Sequence, residues 1–336
     1  MIKILVDTLG GDRSPDANIE GALMALNKIK DVELILVGDQ KIIEEKLTDK
    51  KYDKKRLSIV HAPDVIDCND KPTEAIKSKK ESSMVKCYEL LRANEEIGGM
   101  VSTGSSGALL AGAVLKLGRI KGVKRPAFCP ILPTLNGGLV GICDSGANVD
   151  CDSLLLRQFA LMGNLYIQKA YGVEKPRVAL LNVGTEEEKG DMLRKETYEL
   201  LKNEKALNFV GNMEGRDLLE GNVDLVVCDG FSGNVLTKST EGACLQVLSL
   251  VKKALMKNTK TKIGALLLRK ELNKTKQLMD YNNYGGAVLL GAKKTIVKGH
   301  GSSKETSVFH CIEQAYTMEK NNLSQSIEEA LAQVSE

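Results

Sequence analysis

The stretch VVCDGFSGNVLTKSTEG (226–242) ends an apolar, strand-like run at Asp229-Gly230 and then sets Ser232, Gly233 and Asn234 where a helix is expected to start. A side-chain amide there lies at the carboxyl end of a buried strand, the edge at which open α/β sheets bind ligands. Five further strand ends share this chemistry. DTLGGD (7–12) carries Asp7, Gly10, Gly11 and Asp12, and STGSSGA (102–108) carries Ser102, Thr103, Gly104, Ser105, Ser106 and Gly107. DSGANVDCD (144–152) contributes Asn148 and Asp150; NVGTEEEKG (182–190) contributes Asn182, Gly184 and Lys189; GNMEGRD (211–217) contributes Asn212. Any one of these reads most simply as a tight turn between strand and helix. Six together, each with Asn, Ser or carboxylates, predict a gathered anion site, because exposed backbone N–H groups and helix N-termini favour phosphate. His300 and Ser302, in HGSS (300–303), either add a helix-start site beside it or cap a helix over 303–320.

Standard motifs do not account for the pattern. There is no GxxxxGK[ST], and GHGSSK (299–304) comes too late and lacks the third glycine of a dinucleotide fingerprint. GSSGA (104–108) misses GxSxG at Ala108, and the three histidines, 61, 300 and 310, leave little material for a Ser-His-Asp triad. No HExxH or metal-spaced His/Cys cluster occurs, so neither metal nor other cofactor is expected. Cys228 could be a thiol nucleophile, although a small buried hydrophobe is the favoured reading. What remains is phosphate handling without a nucleotide motif. Lys189 is one cation available for it, unless it serves only in an i,i+3 or i,i+4 ion pair at a helix start.

The elements that must position these residues follow from the apolar pattern. Runs at 2–7, 32–38, 57–62, 99–103, 139–144, 177–184, 207–212 and 223–230 are continuous rather than alternating, as for strands covered on both faces. Amphipathic segments lie between several of them; in 15–30, Ile19, Leu23, Leu26 and Ile29 share one helical face. This alternation predicts an α/β fold, a three-layer α/β/α sandwich around a largely parallel doubly wound sheet. One continuous domain is expected over 1–336, with room for two lobes. The 336 residues are 43% hydrophobic and 27% charged, an ordinary globular composition. A net charge of +3, 4% aromatic residues and no Trp weigh against nucleic-acid binding. The eight cysteines form no CxxC pair and read as reduced thiols of a cytosolic core. MIKILVDTLGGD enters a strand without a signal-peptide pattern, and no apolar run approaches the ~18 residues of a membrane span.

As a set, VDTLGGDRSP (6–15), VSTGSSGALLA (101–111), LGRIKGVKRPA (117–127), DSGANVDC (144–151), LLNVGTEEEKG (180–190), the block 209–242, YGGAVLLG (284–291) and KGHGSSK (298–304) resemble the PlsX-type phosphate acyltransferases. The resemblance runs in order from residue 2 to about 315. Two departures are visible: Arg13 stands where the family more often has His, and Ser105-Ser106 where it usually has Asn-Thr. The resemblance implies an acyltransferase that moves a long-chain fatty acyl group from acyl carrier protein to inorganic phosphate for phospholipid synthesis. It implies a fold similar to phosphotransacetylase and the isocitrate dehydrogenase-like enzymes, a homodimer, and a cytoplasmic protein peripherally attached to membrane. It also implies Lys189 and Asn234 as the catalytic pair. Asn234 could equally N-cap the following helix, and the two roles are compatible. Two alternatives stand beside this reading: a phosphotransacetylase-like enzyme using acyl-coenzyme A, and a non-catalytic acyl-carrier-binding scaffold.

Two basic segments point to partners. GRIKGVKR (118–125) places Arg119, Lys121, Lys124 and Arg125 in one loop, either a docking patch for the acidic carrier or ordinary solvated charge. Residues 252–276 hold nine basic residues and one acid, a net +8 against +3 for the chain, leaving the remainder at −5. Within them lies IGALLL (263–268). A protruding helical hairpin over 252–280 is expected, broken at KNTKTK (257–262), with Leu268, Leu272 and Met279 on one face that packs on the body or on a dimer mate. Ile263, Leu266 and Leu267 are then left to contact an anionic membrane surface, where a membrane glycerol-3-phosphate acyltransferase would take the product. The competing role for this hairpin is dimer packing alone.

Overall fold

The computed structural model describes residues 1–278 and 284–334. Its strands form two sheets rather than the single sheet expected. In the first, β1 (Ile2–Asp7), β2 (Val32–Gly38), β3 (Leu57–His61), β4 (Ile97–Ser102), β5 (Ala127–Cys129), β11 (Ala287–Leu290) and β12 (Thr295–Lys298) lie in the order β3-β2-β1-β4-β12-β11-β5. In the second, β6 (Ile131–Pro133), β7 (Leu139–Cys143), β8 (Arg177–Asn182), β9 (Asn208–Glu214) and β10 (Leu225–Val227) lie in the order β6-β7-β10-β8-β9. Pairing is parallel except where β11 meets β12 and β5, and where β6 meets β7. The short strands β5, β6, β11 and β12 are absent from the apolar runs read in the sequence; with three or four residues each, they carry too little pattern to be recognised.

Helices cover both sheets. They are α1 (Asp16–Lys28), α2 (Gln40–Leu47), α3 (Pro72–Ser78), α4 (Ser83–Ala93), α5 (Ser106–Gly112), α6 (Ser153–Tyr171), α7 (Met192–Lys202), α8 (Gly230–Leu255), α9 (Thr259–Leu267), α10 (Arg269–Leu278), α11 (Glu305–Lys320) and α12 (Leu323–Val334). As its periodicity predicts, α1 buries Ile19, Leu23 and Leu26, and it packs on α11. One apolar cluster runs through both sheets, from Ile4 and Val101 past Phe159 and Met162 of α6 to Leu180 and Leu225, so the two sheets share a core. Among the described residues, no helix is long and apolar enough to cross a membrane.

Candidate active site

Adjacent parallel strands carry three loops to one edge of the first sheet. β1, β4 and β12 are neighbours, so residues 7–12, 102–107 and 298–304 emerge together. Asp7 is buried beneath them, and its carboxylate accepts from Ser83 Oγ at 2.6 Å, Ser102 Oγ at 2.6 Å and Leu9 N at 3.2 Å. The Thr103 hydroxyl donates to the Gly10 carbonyl. A Cβ on Gly10 would stand 2.5 Å from Gly104 N, so only glycine lets the first two loops touch. The third loop joins through Asp12 N to Gly301 O at 2.8 Å and Gly299 N to Ser102 O at 2.9 Å.

The second sheet repeats the device. β7, β10 and β8 are parallel neighbours whose ends lead into residues 144–148, 229–234 and 183–190. Asp144 accepts from Phe128 N at 2.9 Å and from Asn148 N at 2.6 Å and Nδ2 at 3.0 Å, which folds 144–148 into a fixed loop. Burial pushes its carboxyl up to about 6. Asp229, not Asn234, caps α8, accepting from Ser232 N at 2.8 Å, and it also pairs with Arg194 of α7. The helix therefore begins at Gly230 and Asn234 lies inside its first turns, which removes the capping role for this amide. A Cβ on Gly233 would lie 2.0 Å from Asp144 O, so α8 can press against the 144–148 loop only with glycine at this point. That contact sets Asn234 against Gly146, whose built Cβ would be 3.5 Å from Asn234 Cγ.

The two sets of loops enclose a cavity of about 530 Å³. One wall is polar: Gly11, Asp12, Thr103, Gly104, Ser105, Ser106 and residues 298–301. α8 adds Asn234, Thr237, Lys238 and Glu241, while Phe128, Ile131 and Leu132 give an apolar side. Lys298 Nζ lies 3.5 Å from Thr103 O and donates to the Gly299 carbonyl; burial pushes its ammonium down to about 8. His300 Nδ1 is 2.9 Å from Ser302 Oγ, and Nε2 is 3.4 Å from Lys238 Nζ. Burial, then the charge of Lys238, lowers the imidazole below its ordinary range, leaving it mainly neutral at pH 7.

Of the residues singled out in the sequence, Gly11, Asp12, Thr103, Gly104, Ser105, Ser106, Asn234 and His300 meet at this cavity. Ser302 supports His300, while Lys304 takes the N-cap position of α11 and makes no side-chain cap bond. Asp7, Gly10, Ser102, Asn148, Asp229, Gly230 and Gly233 build the loops from behind; Asn148 Nδ2, for example, donates to Pro126 O at 2.7 Å. Gly107 packs toward Pro72. Asp150 is exposed, and its carbonyl accepts from Arg125 at 3.2 Å. Lys189 is exposed and does not line the cavity. Asn182 and Asn212 tie down its loop, donating to Lys189 O at 3.0 Å and Glu186 O at 2.7 Å, with Gly184 beneath the lysine side chain. Of the three preceding glutamates, Glu187 pairs with Lys202 at 2.6 Å. Cys228 is buried, which pushes its thiol well above the usual range and leaves it a core residue. Sequence reasoning missed Asp144, Lys238 and Lys298 as site residues. For Lys298 the signal was its place at the head of KGHGSSK, immediately before the glycine turn.

The basic segments lie apart. Arg119, Lys121, Lys124 and Arg125 are all exposed, on the loop ahead of β5. In the expected hairpin, Asn258 caps α9 and a second break at Leu268 separates α9 from α10. Leu268 is 54% exposed and so does not pack on the body, which leaves a dimer mate as the alternative for that face; Ala265 is the buried residue of α9, while Ile263 (56%), Leu266 (67%) and Leu267 (81%) are exposed. Met279 and residue 280 fall outside the described residues.

The family described as "Fatty acid synthesis protein" matches residues 2–326. A phosphate acyltransferase of Caldanaerobacter subterraneus subsp. tengcongensis is 48% identical over 330 residues, 98% of this chain and 97% of that protein. This chain belongs to the PlsX-type phosphate acyltransferase family. A second phosphate acyltransferase, from Clostridioides difficile, is 42% identical over 335 residues, covering 100% of this chain and 98% of its own. Among solved structures, a phosphotransacetylase from Streptococcus pyogenes superposes with TM-score 0.60 at 15% identity, covering 95% of this chain and 94% of that one. A branched-chain phosphotransacylase from Enterococcus faecalis gives TM-score 0.58 at 16% identity, with 95% and 99% covered. The phosphate acyltransferase fold is thus the α/β architecture of the phosphotransacetylases, and the chain is an enzyme that transfers an acyl group to phosphate. A non-catalytic scaffold is set aside.

Proposed function

We propose that the acyl group is a long fatty chain delivered by acyl carrier protein, and that the products are acyl-phosphate and the carrier thiol. The amphipathic cavity carries this reading: its hydroxyls, Lys298 and His300 suit phosphate, while Phe128, Ile131 and Leu132 suit a hydrocarbon chain. A phosphate oxygen attacks the thioester carbonyl carbon; the new C–O bond replaces the C–S bond, and the sulfur leaves as thiolate. Inorganic phosphate loses its second proton near ~7, so much of it is already dianionic at neutral pH and the attack needs no strong base. A neutral His300 agrees with that. The Asn234 amide donates to the oxyanion that develops on the carbonyl oxygen. Lys189 is the second catalytic group of this proposal, carried on the loop fastened by Asn182 and Asn212.

The exposed cations at 119, 121, 124 and 125 would receive the acidic carrier. The unburied apolar residues of α8, Leu245 and Leu250 among them, would pair two copies as a homodimer. Peripheral attachment of a cytoplasmic enzyme through α9 would place the labile product beside a membrane glycerol-3-phosphate acyltransferase. The deciding measurement incubates the enzyme with palmitoyl-acyl carrier protein and phosphate and detects acyl-phosphate by mass. Phosphate-dependent loss of thioester is expected. Faster turnover of acetyl-coenzyme A would instead favour the phosphotransacetylase-like alternative, and an intact palmitoyl thioester would sink the proposal.

A further inference from the structure

We propose that Lys298 is the cation that holds the phosphate substrate, a catalytic residue of the cavity in addition to Asn234 and Lys189; this assignment rests on the phosphate-transfer reading above. Its position is fixed by the fold. Lys298 ends β12 in register with Ser102 of β4, so its side chain stands between the 102–107 loop and residues 299–301. The ammonium touches only carbonyls there, those of Thr103 and Gly299. Among the described residues, the part-buried Arg157 and Arg194 are by contrast neutralised: Arg157 meets Glu204 at 2.5 Å, and Arg194 pairs with Asp229. Among the described residues no carboxylate stands within ion-pair distance of Lys298. Sheltering an ammonium from water without a counter-charge is costly, and an arriving dianion removes that cost. The same wall supplies Ser105 and Ser106 as further donors, and Asn234 lines the same cavity. Lys189 lies outside it. Lys298 moves no proton in this scheme; it remains an ammonium and donates hydrogen bonds to phosphate oxygens.

A pH signature follows. Inorganic phosphate becomes the better ligand as it loses its second proton near ~7. The unoccupied ammonium is lost as pH rises through about 8. Affinity should therefore peak between these limits and decline above about pH 8. The groups facing Lys298 are Asp7 from β1, Asp12, Cys68, Lys238 and Glu241 from α8, His300, and Cys311 from α11. Burial holds the Cys311 thiol at about 12, and His300 is held below its ordinary range, so neither titrates across this upper limb. Cys68 is separated by substitution.

The test is calorimetric binding of inorganic phosphate from pH 6 to 9, with steady-state kinetics on acyl-carrier substrate, for the wild type, Lys298→Gln, Lys298→Arg and Cys68→Ser. Lys298→Gln should raise both Kd and KM for phosphate about 10- to 100-fold, the range for losing a hydrogen bond to a charged group, with KM for the acyl carrier unchanged. Lys298→Arg should recover much of the affinity and keep it above pH 8, since guanidinium does not deprotonate there. Wild-type phosphate affinity in Lys298→Gln overturns the assignment. So does a flat wild-type profile from pH 7 to 9, which needs no variant to fold, or an upper limb that disappears in Cys68→Ser. If wild type makes no acyl-phosphate while phosphate binding still depends on Lys298, the functional reading fails and the cation assignment stands. If wild type turns over and Lys298→Gln leaves phosphate binding unchanged, the functional reading stands and the cation assignment fails.

Discussion

Asn234 and Lys189 carry the same proposed importance from very different settings. Asn234 is held by a helix that Gly233 presses onto a fixed loop, so its amide is preorganised toward the cavity. Lys189 is exposed on a loop whose backbone, rather than its side chain, is fastened by two asparagines. Replacing either by alanine should lower turnover by about 10²-fold or more, the usual cost of one transition-state donor, with the melting temperature unchanged. Steady-state kinetics beside thermal melts checks this. Normal turnover in Lys189→Ala would leave Lys298 as the cation of the reaction. Normal turnover in Asn234→Ala would require another oxyanion donor.

At the scale of elements, α8 decides where the amide goes, and one sheltered ion pair holds its start. Arg194 and Asp229 side chains are 16% and 8% exposed, and Asp229 also caps the helix. Asp229→Ala removes the cap and leaves Arg194 only its pair with the exposed Asp191, so it should destabilise the protein by about 2 kcal/mol, read from denaturant unfolding. A loss of only a few tenths would show that the pair is dispensable. The loop 118–125 lies ahead of β5, with its four cations exposed. Charge reversal at Lys121 and Lys124 should raise KM for the acyl carrier, more strongly at low salt, and leave KM for phosphate alone. Equal changes in both constants would remove the docking role.

For the whole molecule the distribution of charge matters more than its sum. The net +8 of residues 252–276 sits on a body of net −5, and the same segment exposes Leu266 and Leu267. Apolar side chains among lysines suit an anionic lipid surface. Replacing both leucines by Glu should abolish co-sedimentation with anionic vesicles while activity on substrate in solution persists. Persistent vesicle binding with loss of the dimer, seen by light scattering, would make this segment an interface between copies. α8 extends the same question, since its only buried residues are Gly230, Gly233 and Thr237, all within its first turns.

Much of this was legible in the chain itself. Long apolar runs located β1, β2, β4, β7, β8 and β10, because strands covered on both faces must be apolar throughout, and also the less buried edge strands β3 and β9. The glycine-rich ends located most of the loops, because backbones can approach as closely as 10 and 104 do only without a Cβ. Motifs kept in order along almost the whole length also determine the family without any coordinates. What the chain alone could not determine was which loops meet. Two sheets, not one, share the strand ends, so residues 182–190 and 211–217 stay outside the cavity while 298–301 enter it. That choice rests on β12, four residues long, slotting beside β4 from nearly two hundred positions further along the chain. A pairing so short and so distant leaves no periodic trace in sequence, and only the folded sheet sets Lys298 beside the Thr103 carbonyl.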